Sequence, residues 1–195
     1  MQKGRLEAFS DGVLAIVITI MVLEIKVPHG HELADLKPLI PVVLSYILSF
    51  IYLGIYWNNH HHMMHTVKKV SGSILWANLH LLFWLSLVPF VTGWMGENNF
   101  ANITMALYGV VLLMSAIAYF ILQRIIIQAH GKDGVLARAV GNDLKGKLSP
   151  ILYILGIASS WIHSWIAATF YILVALMWLI PDKRIENTLK ETENS

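Results

Sequence analysis

Six long apolar blocks constrain the fold of this chain more than any other feature. They run at residues 8–27, 38–57, 73–95, 101–127, 149–163 and 165–180. A helix needs about 20 apolar residues to cross a bilayer, and the first four blocks reach that length. Only 13% of the residues are charged, against about 25% in a soluble domain. The sequence therefore predicts an all-α integral membrane protein whose six transmembrane helices occupy residues 1–181, followed by a polar cytoplasmic tail at 182–195.

The last two blocks come from one apolar region, residues 149–180, that is too long for a single span. Its most polar interruption is the pair His163 and Ser164, where we divide it into two short spans. With six spans, twelve of the 14 lysines and arginines fall on one side of the membrane, and only Lys26 and Lys37 fall on the other. The positive-inside rule then predicts that both termini are cytoplasmic.

Several function classes are excluded by what the sequence lacks. Without cysteine, the chain has no disulfide, thiol nucleophile or thiolate metal site. A net charge of +2 with dispersed basic residues provides no nucleic-acid-binding patch. Because zinc-protease, hydrolase and phosphate-loop motifs are also missing, we predict that the protein is not an enzyme and needs no cofactor. The Thr-Val-Gly-Tyr-Gly filter of ordinary potassium channels is absent as well.

The first apolar block carries a stripe of side chains spaced three or four residues apart: Ile16, Thr19, Ile20 and Leu23. Residues with this spacing share one face of a helix. The stripe fits a helix-packing face, which the spacing alone favours. It also fits a pore wall, in which apolar rings constrict a channel and a threonine ring offers hydroxyl oxygens. Thr19 could instead bond to a carbonyl of its own helix one turn back.

Polar residues precede this stripe in the segment Arg5-Leu6-Glu7-Ala8-Phe9-Ser10-Asp11. A carboxylate at the threshold of an apolar helix is costly, so we expect Asp11 to face protein or water rather than lipid. We predict a local cluster of Arg5, Ser10 and Asp11 at the start of the helix. Its role is either structural, since Ser and Asp are favoured at helix N-termini, or a part in gating.

The second and third blocks carry further candidate residues. Asn78 and His80 lie inside the third block and should face the helix bundle, where interhelical hydrogen bonding is the favoured interpretation. Pro89 should kink the same helix. His61 and His65 are four residues apart on a polar extension of the second helix. They form a weak candidate metal pair, which no nearby carboxylate or cysteine completes.

The segment Arg5-x-x-x-Phe9-Ser10-Asp11 at the start of a first span resembles the signature of the transmembrane protein 175 family of potassium-conducting channels. The resemblance extends to the His-rich end of the second block and to Asn78-Leu79-x-Leu81-Leu82 and Leu87-Val88-Pro89-Phe90-Val91-Thr92. It covers the chain as one six-span repeat. It implies a prokaryotic member that assembles as a homotetramer in the plasma membrane.

The resemblance also implies roles for individual residues. The pore-lining positions are Ile16 at the hydrophobic constriction, Thr19 at a polar layer, and then Ile20 and Leu23. The residues that brace or gate the pore helix are Arg5, Phe9, Ser10 and Asp11. Their candidate polar partners are Trp76, Asn78 and His80.

The function predicted from these observations is a homotetrameric cation channel in the lipid bilayer, with K⁺ as the permeant ion. We expect modest selectivity for K⁺ over Na⁺, because a narrow and weakly coordinating constriction favours the ion that sheds water more easily. One alternative is a proton-permeable or non-selective cation channel. Another is a non-conducting membrane protein that responds to metal through His61 and His65.

Overall fold

The computed structural model describes residues 2–131, 134–141 and 143–179, and the regular structure within these ranges is helical. The elements in chain order are α1 (Lys3–Leu23), a 3-10 helix (Leu33–Leu39), α2 (Ile40–His65), α3 (Gly72–Ser86), α4 (Val88–Glu97), α5 (Asn102–His130), α6 (Val135–Val140), α7 (Leu144–Ser160) and α8 (Ser164–Leu179). The predicted polar tail at 182–195 lies outside the described residues.

Four helical stretches are long and apolar enough to cross a membrane: Lys3–Leu23, Leu33–His65, Gly72–Glu97 and Asn102–His130. These stretches confirm the predicted all-α class with several membrane-spanning helices. The final apolar region forms two helices, α7 and α8, separated at residues 161–163. The break lies next to the predicted division at His163 and Ser164, where the N–H of His163 donates to the carbonyl of Ser159 at 2.9 Å.

The predicted kink at Pro89 is a division of the third apolar stretch into two helices. α3 ends at Ser86, and Pro89 lies in the first turn of α4. Proline has no backbone N–H, and its ring collides with the carbonyl four residues earlier, so it is favoured in the first turn of a helix and kinks or breaks a helix further along. The N–H of Leu87, between the two helices, donates to the carbonyl of Trp84 at 3.2 Å.

The core of the bundle forms where α5 packs against α3 and α7, and where α7 packs against α8. Tyr171 of α8 is fully buried there. A side chain on Gly109 or Gly156 would collide with its ring. Its hydroxyl donates to the carbonyl of Met105 at 3.1 Å, and its own carbonyl accepts the hydroxyl of Tyr52 at 2.6 Å. Small residues thus permit close helix approach, and the buried polar groups are satisfied across helices.

α1 begins at Lys3, upstream of the predicted block, and packs against α2, α3 and α4. Ser10 and Asp11 therefore lie well inside the helix, and the interpretation of these residues as N-terminal caps is wrong. The cap position is Gln2, whose side chain makes no capping bond. The helix extends past the apolar block because Leu6 and Ser10 are buried against the bundle, and such packing contributes most of a helix's stability.

Candidate pore helix and its polar anchor

α1 has two faces of different character. The buried face carries Leu6, Ser10, Leu14, Val17 and Met21. The opposite face, which we call the stripe, carries the predicted pore-lining residues: Ile16, Thr19, Ile20 and Leu23. Within one chain the stripe is exposed, with Ile16 58% and Leu23 78% accessible. The rest of the chain therefore leaves this face uncovered, and the helix-packing role that the spacing alone favours is not seen within one chain.

Thr19 is the hydroxyl-bearing residue of the stripe. Its Oγ1 donates to the carbonyl of Ala15 at 2.9 Å, with the carbonyl of Ile16 at 3.0 Å. The bond to its own helix that the sequence suggested is therefore present. Because a hydroxyl has one proton and two lone pairs, this bond leaves the oxygen able to accept from, or coordinate, a group outside the helix.

A buried chain of hydrogen bonds joins α1 to α3 and α2. The Ser10 hydroxyl donates to the carbonyl of Leu6 at 2.9 Å and accepts from the side-chain amide of Asn78 at 2.9 Å. The Asn78 Oδ1 lies 2.7 Å from Nε2 of His60. An amide oxygen only accepts, so Nε2 of His60 carries the proton and donates. Ser10, Asn78 and His60 are all buried, and their hydrogen bonds hold α1, α2 and α3 together at one level.

A second set of contacts ties the same half of α1 to α2. The indole Nε1 of Trp57 donates to Oδ1 of Asp11 at 3.0 Å. The Lys3 ammonium donates to the carbonyl of His65 at 3.0 Å and lies 3.7 Å from Oε1 of Glu7. Asp11 thus faces protein, as its cost in lipid predicts.

Arg5 and Phe9 do not join this anchor within one chain. Arg5 is exposed and makes no ion pair among the described residues, and Phe9 is 49% exposed. The predicted local cluster of Arg5 with Ser10 and Asp11 is therefore wrong for the single chain. Arg5 is five residues from Ser10 and six from Asp11, and residues with this spacing lie on different faces of a helix. The exposed Arg5 therefore points away from both side chains.

Of the three candidate polar partners, the structure brings only Asn78 to α1. His80 accepts instead from the indole of Trp84 at 3.0 Å, within α3, and Trp76 is 76% exposed. Sequence reasoning missed Trp57 and His60. His60 lies on the buried face of α2, whose residues recur every three or four positions, and this spacing could have been found in the sequence. The buried residues of α2 are Ser45, Ser49, Tyr52, Leu53, Tyr56, His60, Met63 and Met64.

The weak metal candidates His61 and His65 lie side by side, with 3.1 Å between their Nε2 atoms. Among the described residues, no group of three or more histidine, aspartate or glutamate side chains is placed to hold a metal ion. A structural zinc site takes four ligands and a catalytic one three. The histidine pair is therefore incomplete as a metal site in the part of the chain that the structure describes.

The chain is similar to proteins of one channel family. The sequence model of the family described as endosomal/lysosomal potassium channel TMEM175 matches residues 5–89. A protein of Chryseobacterium sp. (strain P1-3), named as a potassium channel, is 62% identical over 98% of this chain and all of its own length. A protein of Gallus gallus, named as the endosomal/lysosomal proton channel TMEM175, is 35% identical over 46% of this chain and 20% of its own length.

The fold agrees with these sequence matches. The crystal structure of a lysosomal potassium-selective channel TMEM175 homolog from Chamaesiphon minutus superimposes with a TM-score of 0.80. It is 30% identical in sequence, and the match covers 92% of this chain and 97% of that one. The family model matches α1 to α3, one relative matches nearly the whole chain, and the fold is shared. This chain therefore belongs to the TMEM175 family.

Proposed function

We propose that this chain forms a homotetrameric potassium channel in a prokaryotic plasma membrane, with the α1 stripe lining the pore. The observation that carries the proposal is the stripe itself, an uncovered apolar face with a single hydroxyl, opposite a face fixed by buried polar contacts. The bacterial relatives named as potassium channels support potassium as the permeant ion.

The stripe would discriminate between cations through dehydration. Copies of Ile16 and Leu23 around a central axis form narrow apolar constrictions on either side of the Thr19 level. Potassium sheds water at lower cost than sodium, and the Thr19 oxygens offer only weak coordination in place of that water. Modest selectivity for K⁺ follows, without a carbonyl filter, and an apolar constriction can also close by dewetting.

Charges beside the C-terminal end of the stripe favour cations. Glu24, next to Leu23, is exposed and makes no ion pair among the described residues. The nearby Lys26 pairs with Glu97 at 2.6 Å, and this hydrogen bond raises the pKa of Lys26 above its usual value of 10.5. The lysine charge is thus offset, and a ring of Glu24 carboxylates would raise the local cation concentration.

We assign the fifth and sixth spans to α7 and α8, which have 17 and 16 residues. Helices of this length reach about 25 Å, so the bilayer would thin slightly around them. At their junction Trp161 is 63% exposed and Trp165 is 58% exposed, as suits an aromatic belt. The distribution of basic residues supports an orientation with this junction outside and both termini in the cytoplasm.

Because the chain has no cysteine, introduced single cysteines can test this topology. Arg138 and Ile162, at opposite ends of α7, are both exposed. In whole cells, a membrane-impermeant maleimide should label Ile162→Cys directly and Arg138→Cys only after permeabilisation. Labelling of both from one side would remove α7 as a span, and the reverse pattern would invert the orientation.

Ion flux from liposomes tests the pore assignment. The wild-type protein should carry K⁺ faster than Na⁺. Ile16→Asn and Leu23→Asn should each raise the flux several-fold and lower the preference for K⁺, since an amide hydrates the constriction. Ile103→Asn on α5 is the matched control, because Ile103 is as exposed as Ile16, at 58%. If the α1 variants behaved like this control, the stripe would not line the pore.

A proton-permeable channel is the second candidate, favoured by the name of the chicken relative as a proton channel. Reversal potentials measured across a pH gradient in symmetrical K⁺ separate the two. A shift toward the proton equilibrium potential would establish proton permeation. A reversal potential that stays at zero would leave potassium as the main permeant ion.

A further inference from the structure

A cavity of about 590 Å³ lies between the C-terminal half of α5 and the segment formed by α6 and the start of α7. Its polar lining residues are Gln123, Arg124 and Gln128 of α5, together with Asp143 and Lys147. A deeper recess continues from it toward α2 and α8, lined mainly by aromatic side chains that include Tyr56, Tyr119 and Trp178. The two share Phe120, Gln123, Asp143 and Gly146. The whole space is therefore polar at its mouth and apolar within.

Gln123 marks the boundary between these two parts. The residue is only 7% exposed, and its amide makes no hydrogen bond to any described residue. Both amide atoms still keep some access to the cavity, because the fully enclosed side-chain polar atom without a hydrogen bond among the described residues is Oε1 of Glu7. An unpaired buried amide is costly, so Gln123 points to a polar group that occupies the cavity.

The charges around Gln123 favour an anion. Arg124 stacks on the Phe120 ring with its guanidinium carbon 4.9 Å from the ring centre, and it makes no ion pair among the described residues. Lys147 and Asp143 also line the cavity, and the Asp143 carboxylate accepts the N–H of Gly146 at 3.0 Å. The first turn of α7 reaches the cavity too, and the dipole of a helix favours an anion at this end.

The mouth of the cavity also carries an exposed apolar side chain. Phe120 of α5 lines both the cavity and the aromatic recess, and it is 46% exposed. In the orientation proposed above, this end of α5 lies on the cytoplasmic side of the membrane. A ligand that satisfies both parts must carry an anionic group and a hydrocarbon chain.

We propose that this cavity binds an anionic phospholipid of the cytoplasmic leaflet. Its phosphate lies against Gln123 and Arg124, and its acyl chains lie against Phe120 and the aromatic recess. The Gln123 amide gains its missing partner from a phosphate or glycerol ester oxygen. The bound lipid would add contacts between the C-terminal half of α5 and the segment formed by α6 and the start of α7.

Native mass spectrometry of the purified protein in a neutral detergent tests this site. Phosphatidylglycerol should bind more tightly than phosphatidylcholine. Arg124→Gln should weaken phosphatidylglycerol binding about fivefold, the effect of one basic residue near an anionic lipid surface, and should leave phosphatidylcholine unchanged. Arg138→Gln is the matched control, because Arg138 is exposed on α6 and does not line the cavity.

Three results would overturn the proposal: equal binding of both lipids, equal effects of Arg124→Gln and Arg138→Gln, or competition by soluble glycerol phosphate at the lipid's own concentration. The last would indicate a site for a soluble anion. Gln123→Leu should weaken binding as well, and if that variant does not fold, Ala137→Phe narrows the mouth from a half-buried position. The assay requires no ion flux, so its outcome is separate from that of the pore assignment.

Discussion

The hydroxyl groups on the two faces of α1 differ in what their oxygen can accept. Ser10 and Thr19 both donate to a carbonyl of their own helix. Ser10, on the buried face, also accepts a hydrogen bond from Asn78 of α3, whereas Thr19 keeps an accepting oxygen on the uncovered side. Position around the helix, rather than residue type, separates an anchoring hydroxyl from one that can meet an ion.

The faces also differ along the length of the helix. The polar contacts of α1 gather in its N-terminal half, at Ser10 and Asp11. Beyond them the buried face is held by apolar packing of Leu14, Val17 and Met21. The stripe, from Ile16 to Leu23, lies beside this second part. The helix is thus fixed at one end, and substitutions on the stripe can change permeation without touching the anchor.

The largest expected contrast is between Leu14→Asn and Ile16→Asn, two residues apart on opposite faces. Leu14 is 1% exposed, so asparagine there loses packing and buries an unpaired amide, at a cost of about 3 kcal/mol. Ile16→Asn should leave the unfolding midpoint near that of the wild type. Thermal unfolding of both proteins in detergent measures this, and equal losses would show that the stripe is covered rather than open.

The spacing grouped the residues of the exposed face of α1, although by itself it favoured a helix-packing role for them. Of the three candidate partners, only Asn78 meets the buried face. A spacing of three or four residues determines which side chains share a face, which is how Ile16, Thr19, Ile20 and Leu23 were grouped. It does not determine which neighbouring helix meets that face. Trp76 and Asn78 are two residues apart, so only one of them could face α1, and nothing local to α3 distinguished them.

Helix ends were the other limit of sequence reasoning. Apolar blocks report where lipid surrounds a helix, whereas helices continue as long as packing supports them. The second block was predicted to end at residue 57 and to continue as a polar helical extension, and α2 does run to His65. The pattern did not show that His60 of this extension is buried and bonded to Asn78, or that Trp57 at the end of the block reaches Asp11.

Breaking the anchor should have an intermediate effect. Asn78→Leu removes two bonds at once and leaves Ser10 and His60 without their partner, at a cost of about 1–3 kcal/mol in a membrane protein. Ser10→Ala should cost less than half as much, and nothing further when Asn78 is already leucine. Unfolding midpoints of the two single variants and the double variant give this coupling. Fully additive losses would mean that the two side chains act independently.

The smallest expected effect on stability, and the sharpest test of the stripe, is Thr19→Val. Valine matches the shape of threonine and removes only a hydroxyl that bonds to its own helix, so the free energy of unfolding should change by less than about 0.5 kcal/mol. The preference for K⁺ over Na⁺, measured from reversal potentials in mixed salt, should nevertheless fall, because the pore loses its only ring of oxygens at that level.

Thr169→Val on α8 is a matched control for this substitution. Thr169 is also exposed, and its hydroxyl also donates to a carbonyl of its own helix, that of Trp165 at 2.9 Å. The two variants lose the same chemical group in the same local bond and differ only in where the oxygen faces. If only Thr19→Val lowers the preference for K⁺ over Na⁺, the Thr19 oxygen faces the pore. If the two variants show equal preferences for K⁺, there is no hydroxyl layer in the pore. Dehydration at Ile16 and Leu23 would then be the sole source of discrimination.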